Sequence, residues 1–486
     1  MDPRIATMLV APAVAILIAM ATRNARIAEW SNLAASVVVF AAVISLPFVP
    51  ATPHYFAAGY LFLDGLGAWV LLCVASVYLL SSLYAIGYMR LEEEGDRHLP
   101  GFYALFAGFA LTMLVAPLVN NLGVYWIAIE LTTLVSTFLV GFERRAESME
   151  AAWKYIIIVS AGISLALLGT TMLYWGGSLV LGPTYDLTWQ TLAAVAPRMN
   201  PVLLRLGFLL ILIGYGVKTG LAPMHAWLPD AHSEGPAPVS AMLSGALLNT
   251  AMLGIVRTLA ATDAAGAGAV PHGALIALGA LSLLVAALFI VRQRGVKRLM
   301  AYSSVEHMGV LALGFGFGGT LGVAGALYHM LNHSLNKSLM FFGAGNAMRR
   351  YGSTDIPEIR NVLREFPASG LLWLAGAVAI TGAPPFGLFL SELAVLRAGW
   401  GGPHTWAAIV MVVLLIIIFI GFLNHFRTMY FDDDETRAAP TGPYLAAISI
   451  APMWIALAAL LVLGLWWPDA WRNLFAGIAH DLGGAP

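Results

Sequence analysis

Charged residues are scarce in this sequence. Asp, Glu, Lys and Arg make up 10% of the 486 residues and hydrophobic types make up 60%, whereas soluble domains carry about 25% charged residues. A soluble fold cannot bury this much apolar sequence in one chain, so the composition indicates an integral membrane protein in contact with the lipid bilayer. The formal net charge of −1 gives no support for nucleic-acid binding, so we expect no nucleic-acid partner.

Cysteine occurs once, as Cys73. A single cysteine cannot form a disulfide within the chain or supply the roughly four thiolates of an iron–sulfur cluster. The sequence also lacks a glycine-rich phosphate loop followed by Lys and Ser or Thr. We therefore expect the chain to hold no cofactor and no metal.

The N-terminal segment lacks a basic region and a convincing cleavage site, which predicts a retained first helix rather than a signal peptide.

Long apolar runs fill most of the sequence. A spanning helix needs about 20 apolar residues, and backbone groups in lipid must be satisfied internally, which favours helices. The sequence therefore predicts an all-α integral membrane fold with about fourteen transmembrane helices. Their predicted bounds are 6–22, 31–49, 60–88, 101–119, 121–142, 153–177, 202–223, 238–261, 272–292, 298–317, 321–347, 368–398, 404–430 and 444–466. The boundary between the fourth and fifth is the weakest, because only Asn120 and Asn121 interrupt the run.

Lysine and arginine are distributed unequally between the two sides of these spans. Loops after odd-numbered spans carry seventeen: Arg23, Arg26, Arg90, Arg97, Arg144, Arg145, Lys154, Arg292, Arg294, Lys297, Arg298, Arg349, Arg350, Arg360, Arg364, Arg427 and Arg437. The opposite side carries six: Arg4, Arg198, Arg205, Arg257, Arg397 and Arg472. Because basic residues concentrate in cytoplasmic loops, we predict a multi-pass protein of the cell inner membrane with both termini outside, on the periplasmic face.

Two of the four lysines, Lys218 and Lys337, belong to neither side and fall at membrane depth. A lysine there costs about 2.5–3.5 kcal/mol on insertion scales, and its ionisation is shifted more readily than that of arginine. This placement indicates titratable groups. The alternative for Lys218 is a side chain that extends to the membrane interface.

His329, His333 and Lys337 are spaced at i, i+4 and i+8, so they form one stripe on a helix face. The stripe runs about 12 Å along the axis. A histidine pair four residues apart can bind a metal, but no carboxylate or cysteine lies nearby in sequence, so we interpret the stripe as a proton relay. Glu306 and His307 on the preceding helix could join this relay or form a buried structural hydrogen bond.

Two carboxylates also fall within apolar segments. Glu130 is predicted near the middle of its span, and Glu392 follows a Gly-Ala-Pro-Pro break. A buried carboxylate within about 4–6 Å of a lysine stays ionised and holds the lysine charged, which makes Glu130 and Lys218 a candidate pair. For Glu392, the alternative to a role in ion transfer is an ion pair with a basic residue of a partner subunit.

The segments KTGLAPMHAW (218–227) and ITGAPPFGLF (380–389) resemble each other. Each carries Thr-Gly and then a proline-containing break inside a long apolar run. Proline removes a helical hydrogen bond, and unwound backbone at membrane depth is tolerated where it is buried in protein or lines a wet cavity. Paired interruptions of this kind are typical of transporters built from repeats.

Five motifs carry a resemblance to a known family: WIAIEL, VKTGLAPMHAWLPDAHSEGPAPVSAMLSGALLNTAMLGIVR, VKRLMAYSSVEHMG, HSLNKSLMFFGAGN and TGAPPFGLFLSE. Over roughly residues 60–430 the chain resembles the antiporter-like subunits of complex I, membrane-bound hydrogenases and multisubunit Na⁺/H⁺ antiporters. Within the family it most resembles hydrogenase-4 component F. The resemblance implies two inverted five-helix repeats, each with one broken helix, and proton translocation along a buried polar axis.

On the family pattern, Glu130 matches the glutamate of the fifth helix and Lys218 the lysine of the first broken helix. Lys337 matches the lysine after the paired histidines, and Glu392 the terminal charged residue of the second broken helix. The predicted proton pathway comprises Glu130, Lys218, His225, His232, Asn249, Glu306, His307, His329, His333, Lys337 and Glu392. Asn249 departs from the pattern, because related complex I subunits often carry lysine or histidine near that position and asparagine cannot titrate.

These observations predict four parts: an N-terminal three-helix segment (1–100), two antiporter-like repeats (101–261 and 272–430), and a C-terminal helix and tail (444–486). The expected function is that of a non-catalytic, proton-translocating subunit of a hydrogenase-4-type (group 4 NiFe) hydrogenase. Its expected partners are other antiporter-like and anchor subunits in the membrane, and peripheral NiFe-hydrogenase or complex I-like redox subunits. The alternatives are a pumping subunit of complex I, a subunit of a Na⁺/H⁺ antiporter driven by ion gradients, and a scaffold that conducts nothing.

Overall fold

A computed structural model of the protein describes residues 2–48, 54–91, 98–431, 440, 442–443 and 447–483. Arg97 and Arg437 of the loop count lie outside the described residues. So do residue 49 at the end of the second predicted span and residues 444–446 at the start of the last one.

The described residues are almost entirely helical. The helices are α1 Pro3–Ala21, α2 Ala25–Val43, α3 Gly65–Met89, α4 Leu99–Val115, α5 Leu122–Val140, α6 Ala146–Leu181, α7 Trp189–Val195, α8 Pro201–Thr219, α9 Trp227–Glu234, α10 Ala237–Met242, α11 Leu248–Ala264, α12 Ala269–Ile290, α13 Val296–Phe317, α14 Gly319–Tyr351, α15 Val362–Glu365, α16 Pro367–Ile380, α17 Gly387–Gly399, α18 Thr405–Tyr430, α19 Ala447–Leu465 and α20 Asp469–Asp481. A short antiparallel pair, β1 His54–Phe56 and β2 Leu61–Leu63, precedes α3, so the predicted span 60–88 begins five residues later than expected.

Eleven of the described helical segments are long and apolar enough to cross a membrane. The three predicted spans outside this set are 298–317, 321–347 and 368–398, which the structure forms as α13, α14 and the pair α16–α17. The weak boundary between the fourth and fifth spans is a real helix end. Asn121 caps α5, and its side-chain oxygen accepts hydrogen bonds from the backbone nitrogens of Gly123 and Val124.

Both predicted helix interruptions are present. α8 ends at Thr219, Gly220 has a φ of +75°, and α9 begins at Trp227. α16 ends at Ile380, Gly382 has a φ of +67°, and α17 begins at Gly387. Glycine fits both turns because it adopts a positive φ without the Cβ clash that other residues incur.

Glycines bring α6 and α8 into backbone contact. A Cβ added to Gly214 would lie 2.4 Å from the backbone nitrogen of Ala166, and one added to Gly169 would lie 2.6 Å from the carbonyl oxygen of Gly207. Small residues permit this close approach between membrane helices. The contact sets the separation between Tyr155 on α6 and Lys218 on α8.

We expect Gly214→Ala to lower the free energy of unfolding by about 1–3 kcal/mol, because the new methyl group must displace backbone of α6. Thermal unfolding of the full chain in detergent measures the effect. Gly273→Ala on α12 is the matched control, since its Cβ would meet nothing within 4 Å. Equal melting temperatures for the two variants would show that the α6–α8 contact is not tight.

Candidate functional site

Lys218 lies in the last turn of α8 and is fully buried. Its Nζ donates hydrogen bonds to Thr133 Oγ1 on α5 and to Tyr155 Oη on α6, both at 2.8 Å. Nζ also lies 5.0 Å from the centre of the Tyr155 ring. The C-terminal end of a helix favours a cation, and hydroxyl oxygens satisfy the ammonium without fixing a counter-charge beside it. Lys218 is therefore enclosed by the protein, and its side chain does not extend to the surface.

Glu130 does not pair directly with Lys218, and among the described residues no ion pair joins them. Glu130 is half-buried on α5 and accepts a hydrogen bond from Ser160 Oγ at 2.6 Å. Tyr155 Oη is a second hydroxyl link in this region, at 2.7 Å from Ser136 Oγ. Hydroxyl groups therefore take the contacts that the candidate Glu130–Lys218 pair would have made.

The two predicted histidines near the first break occupy different surroundings. His225 lies in the break itself, is half-buried and has its ring 6.1 Å from that of Tyr302. His232 on α9 is fully buried between Trp227, at 6.0 Å between ring centres, and Phe341 on α14, at 5.5 Å. Neither ring nitrogen of His232 has a hydrogen-bond partner in the described part of the chain. Because Phe341 is one helical turn from Lys337, His232 packs against the same helix that carries Lys337.

The stripe on α14 faces the protein interior. His329, His333 and Lys337 are all fully buried. Lys337 Nζ donates hydrogen bonds to the carbonyl oxygen of Met300, at 3.0 Å, and to the hydroxyl of Ser303, both on α13. As at Lys218, the ammonium is held by neutral oxygens, and no described carboxylate forms an ion pair with it.

The histidines form a connected cluster with His307 of α13. His307 Nδ1 lies 3.1 Å from His329 Nε2, and His329 Nδ1 lies 2.9 Å from Ser391 Oγ on α17. His333 Nε2 lies 3.2 Å from the carbonyl oxygen of Ser244, and its ring centre is 5.2 Å from that of His307. The rings thus connect the middle of α14 to the second broken helix.

Asn249 on α11 bonds α14 beside the stripe, at the residue that follows His333. Its amide nitrogen donates to Ser334 Oγ on α14 at 3.0 Å and to the Gly245 carbonyl oxygen at 3.1 Å. Residues Leu243–Leu247 just before it form a π-helical turn, which is rare and frequent at functional sites. Asn249 is therefore a hydrogen-bonding link beside the histidines rather than a titrating one.

Glu306 and Glu392 are buried carboxylates with unpaired oxygens. Both oxygens of Glu306 and Oε1 of Glu392 have no hydrogen-bond partner among the described residues. Glu392 packs against the second break, where a Cβ on Gly382 would lie 2.0 Å from Glu392 Oε2. A buried carboxylate without a donor is costly while ionised, so both groups favour taking up a proton or a cation.

Sequence reasoning missed the hydroxyl groups that hold the charged residues. Thr133, Tyr155, Ser303 and Ser391 contact Lys218, Lys337 or His329, yet Ser, Thr and Tyr are scattered through the apolar helices. It also missed Lys297, which is buried and donates to the Ser233 and Gly235 carbonyl oxygens. No local pattern separates these residues from others of their type.

Residues 119–418 match the family described as NADH:quinone oxidoreductase/Mrp antiporter, transmembrane. The chain is 35% identical over 415 residues to a hydrogenase-4 component F homolog of Methylacidiphilum infernorum, which covers 84% of this chain and 86% of that protein. It is 33% identical to NADH-quinone oxidoreductase subunit N of Halorhodospira halophila, over 84% and 83% of the two chains.

The fold has close counterparts among solved structures. A chain of the membrane-bound sulfane sulfur reductase, an archaeal respiratory membrane complex, superposes with a TM-score of 0.86 over 99% of this chain and 97% of that one. The sequence identity is 23%, so this likeness concerns the fold. Together with the eleven apolar helices, the comparisons identify a multi-pass membrane protein.

Proposed function

The chain belongs to the NADH:quinone oxidoreductase/Mrp antiporter transmembrane family, and on that basis we propose that it is a proton-translocating membrane subunit of a redox-driven complex. The observation that carries the proposal is the pair of fully buried lysines, Lys218 and Lys337, each held by neutral oxygens. With no carboxylate in direct contact among the described residues, each can gain or lose a proton. A scaffold would have no use for groups this costly to bury.

We further propose the order of groups along the pathway. It begins at Glu130 and Lys218, passes His232 to Lys337, and continues through His333, His307 and His329 to Glu392. The remaining predicted members are His225 at the first break, Asn249 beside the histidines and Glu306 beside Lys337. The contact between His307 and His329 and the 5.2 Å between the ring centres of His307 and His333 support the histidine part of this order, and waters would complete the longer steps.

The membrane arrangement belongs to the same proposal. Adding α13, α14 and the α16–α17 pair to the eleven apolar segments gives fourteen crossings. With that number, the uneven distribution of basic residues supports an inner-membrane protein with both termini outside. The two broken helices support two inverted repeats, at 101–261 and 272–430.

The parent complex we favour is a hydrogenase-4-type NiFe hydrogenase, because the relative described as a component F homolog aligns over 84% of this chain. Its partners would be antiporter-like and anchor subunits in the membrane and peripheral redox subunits. Complex I is the second candidate, given the 33% identity to a subunit N. Hydrogenase large- and small-subunit genes beside this one would favour the first. A set of small antiporter subunits would instead indicate an ion-gradient-driven Na⁺/H⁺ exchanger.

Glu392 provides a test of the pathway at its far end. We expect Glu392→Gln to suppress proton uptake strongly and Glu392→Asp only partly, because a terminal proton-transfer group needs both a titratable proton and the correct reach. Uptake into vesicles that contain the assembled complex measures this effect. Glu358→Gln, a change to an exposed carboxylate, is the matched control.

The alternative role of Glu392 is assembly. If the Gln variant pumps normally in membranes but its complex dissociates in detergent, Glu392 is a subunit contact and the pathway ends elsewhere. Normal pumping in a stable complex would remove Glu392 from the mechanism altogether.

A further inference from the structure

Three buried side chains from separate helices place potential metal ligands together. One ligand atom from each of His307, His329 and Glu392 lies within 4.8 Å of the others. The two nearest ring nitrogens are 3.1 Å apart. Ligands about 2.0–2.1 Å from a tetrahedral Zn²⁺ are separated from each other by about 3.3 Å. The carboxylate next to His307 in sequence, Glu306, is not part of this group; the fold supplies Glu392 from the second broken helix instead.

The hydrogen bonds around the rings determine which atoms are acceptors. Ser391 Oγ donates to the Leu388 carbonyl oxygen at 2.8 Å, so it accepts from His329 Nδ1. His329 Nε2 then carries a lone pair and accepts a hydrogen bond from His307 Nδ1. His307 Nε2 is left as a second acceptor. Like Oε1 of Glu392, this atom has no donor within the described ranges. The unpaired carboxylate oxygen of Glu392 is therefore an acceptor of this cluster that lacks a donor, and such a buried atom calls for an ion or a proton.

We propose that His307, His329 and Glu392 form a binding site for a borderline divalent cation of the Zn²⁺ type. Imidazole nitrogen together with one carboxylate is a common zinc ligand set, whereas Ca²⁺ and Mg²⁺ take oxygen ligands. Ser391 bonds the nitrogen of His329 that faces away from His307, an arrangement that orients metal-binding histidines. A cation bound between the rings requires the tautomer of His307 that carries its proton on Nε2 rather than on Nδ1, and the imidazole stays neutral.

The local charge suits a divalent ion. Glu306 is near enough to Glu392 for the two charges to interact, and the charge of Lys337 reaches Glu306, His307 and His329, so the carboxylates outnumber the ammonium by one around the cluster. The ammonium of Lys337 is held by the Met300 carbonyl oxygen and the Ser303 hydroxyl on α13 and contacts none of the three ligands.

A bound cation would occupy the ring nitrogens that the proposed pathway uses, and so would block proton movement. This block rests on the proposed function, but the binding itself does not. Zn²⁺ binding is therefore measured directly, by equilibrium dialysis of the tag-free full chain in detergent followed by metal analysis. We expect one tightly bound Zn²⁺ per chain, and an affinity at least about 100-fold lower in His329→Gln and in Glu392→Gln.

His425→Gln is the matched control, since His425 is buried on α18 and bonds the Ile290 carbonyl oxygen outside the cluster. It should bind Zn²⁺ like the wild type. Absence of binding to the wild type, or equal binding by all variants, overturns the site. Because the cluster variants could fail to fold, X-ray absorption of the Zn²⁺-loaded wild type provides a second measurement. Two imidazoles and a carboxylate support the site, and any other ligand set overturns it. If Zn²⁺ binds but proton uptake is unchanged, the pathway fails and the site stands.

Discussion

Replacing Lys218 with methionine is expected to lower the rate of coupled proton uptake by about 100-fold or more, while the complex still assembles. Methionine keeps the length and apolar stem of lysine but cannot carry a proton. Its cost to the fold should be small, because the ammonium is fully buried and Tyr155 Oη retains its contact with Ser136 Oγ. Proton uptake into vesicles, normalised to the amount of assembled complex, measures the effect.

Lys154→Met is the matched control for Lys218→Met. Lys154 is on α6, with 48% of its side chain exposed, and it pairs with Glu150 and Asp230. Removing it should change uptake little, because surface ion pairs contribute about 0–1 kcal/mol and the residue is not in the proposed pathway. Wild-type uptake by a well-assembled Lys218→Met variant would exclude Lys218 from the mechanism.

The sequence identified the charged groups of the candidate site because each stands out in its surroundings. A lysine in an apolar run is conspicuous at any depth, as Lys218 and Lys337 are, and helical periodicity alone places His329, His333 and Lys337 on one face. The two breaks were also predictable, since Thr-Gly followed by proline interrupts a helix whatever it packs against.

What the sequence could not reveal is which side chains meet. Lys218 bonds Thr133 and Tyr155 from two other helices, and Ser160 bonds Glu130 where a lysine was expected. These contacts depend on how closely α5, α6 and α8 approach, which the glycines on α6 and α8 decide together. The same holds for Glu392, which is far from the histidines in sequence and adjacent to them in the fold.

A hydropathy criterion alone does not identify α13 and α14 as candidate membrane spans, since neither is among the eleven apolar segments. Their polar residues include Glu306, His307 and the histidine–lysine stripe, all buried by neighbouring helices. A helix surrounded by protein need not be apolar to lie at membrane depth, because its neighbours rather than lipid solvate it. The hydropathy criterion thus finds the helices of Glu130 and Lys218 but passes over the two that carry the histidines and Lys337.

Lys337→Arg is expected to reduce proton uptake as severely as Lys337→Met, although arginine preserves the positive charge. Arginine stays protonated under all conditions in proteins, so it cannot pass a proton between His232 and the histidine cluster. Its planar fork also replaces an ammonium that fits between the Met300 carbonyl oxygen and the Ser303 hydroxyl. Uptake per assembled complex is the measurement, with Lys337→Met in parallel to show the effect of losing the charge.

Lys297→Arg separates the permanent protonation of arginine from the effect of its larger, planar side chain. Lys297 is buried like Lys337, but it bonds the Ser233 and Gly235 carbonyl oxygens at the end of α9 and is not in the proposed pathway. Arginine there should lower thermal stability through its bulk and leave uptake per assembled complex unchanged. If Lys337→Arg retains uptake while Lys337→Met loses it, a fixed positive charge is sufficient at this position. Lys337 would then act on its neighbours electrostatically, and the proton would pass through the histidines and water instead.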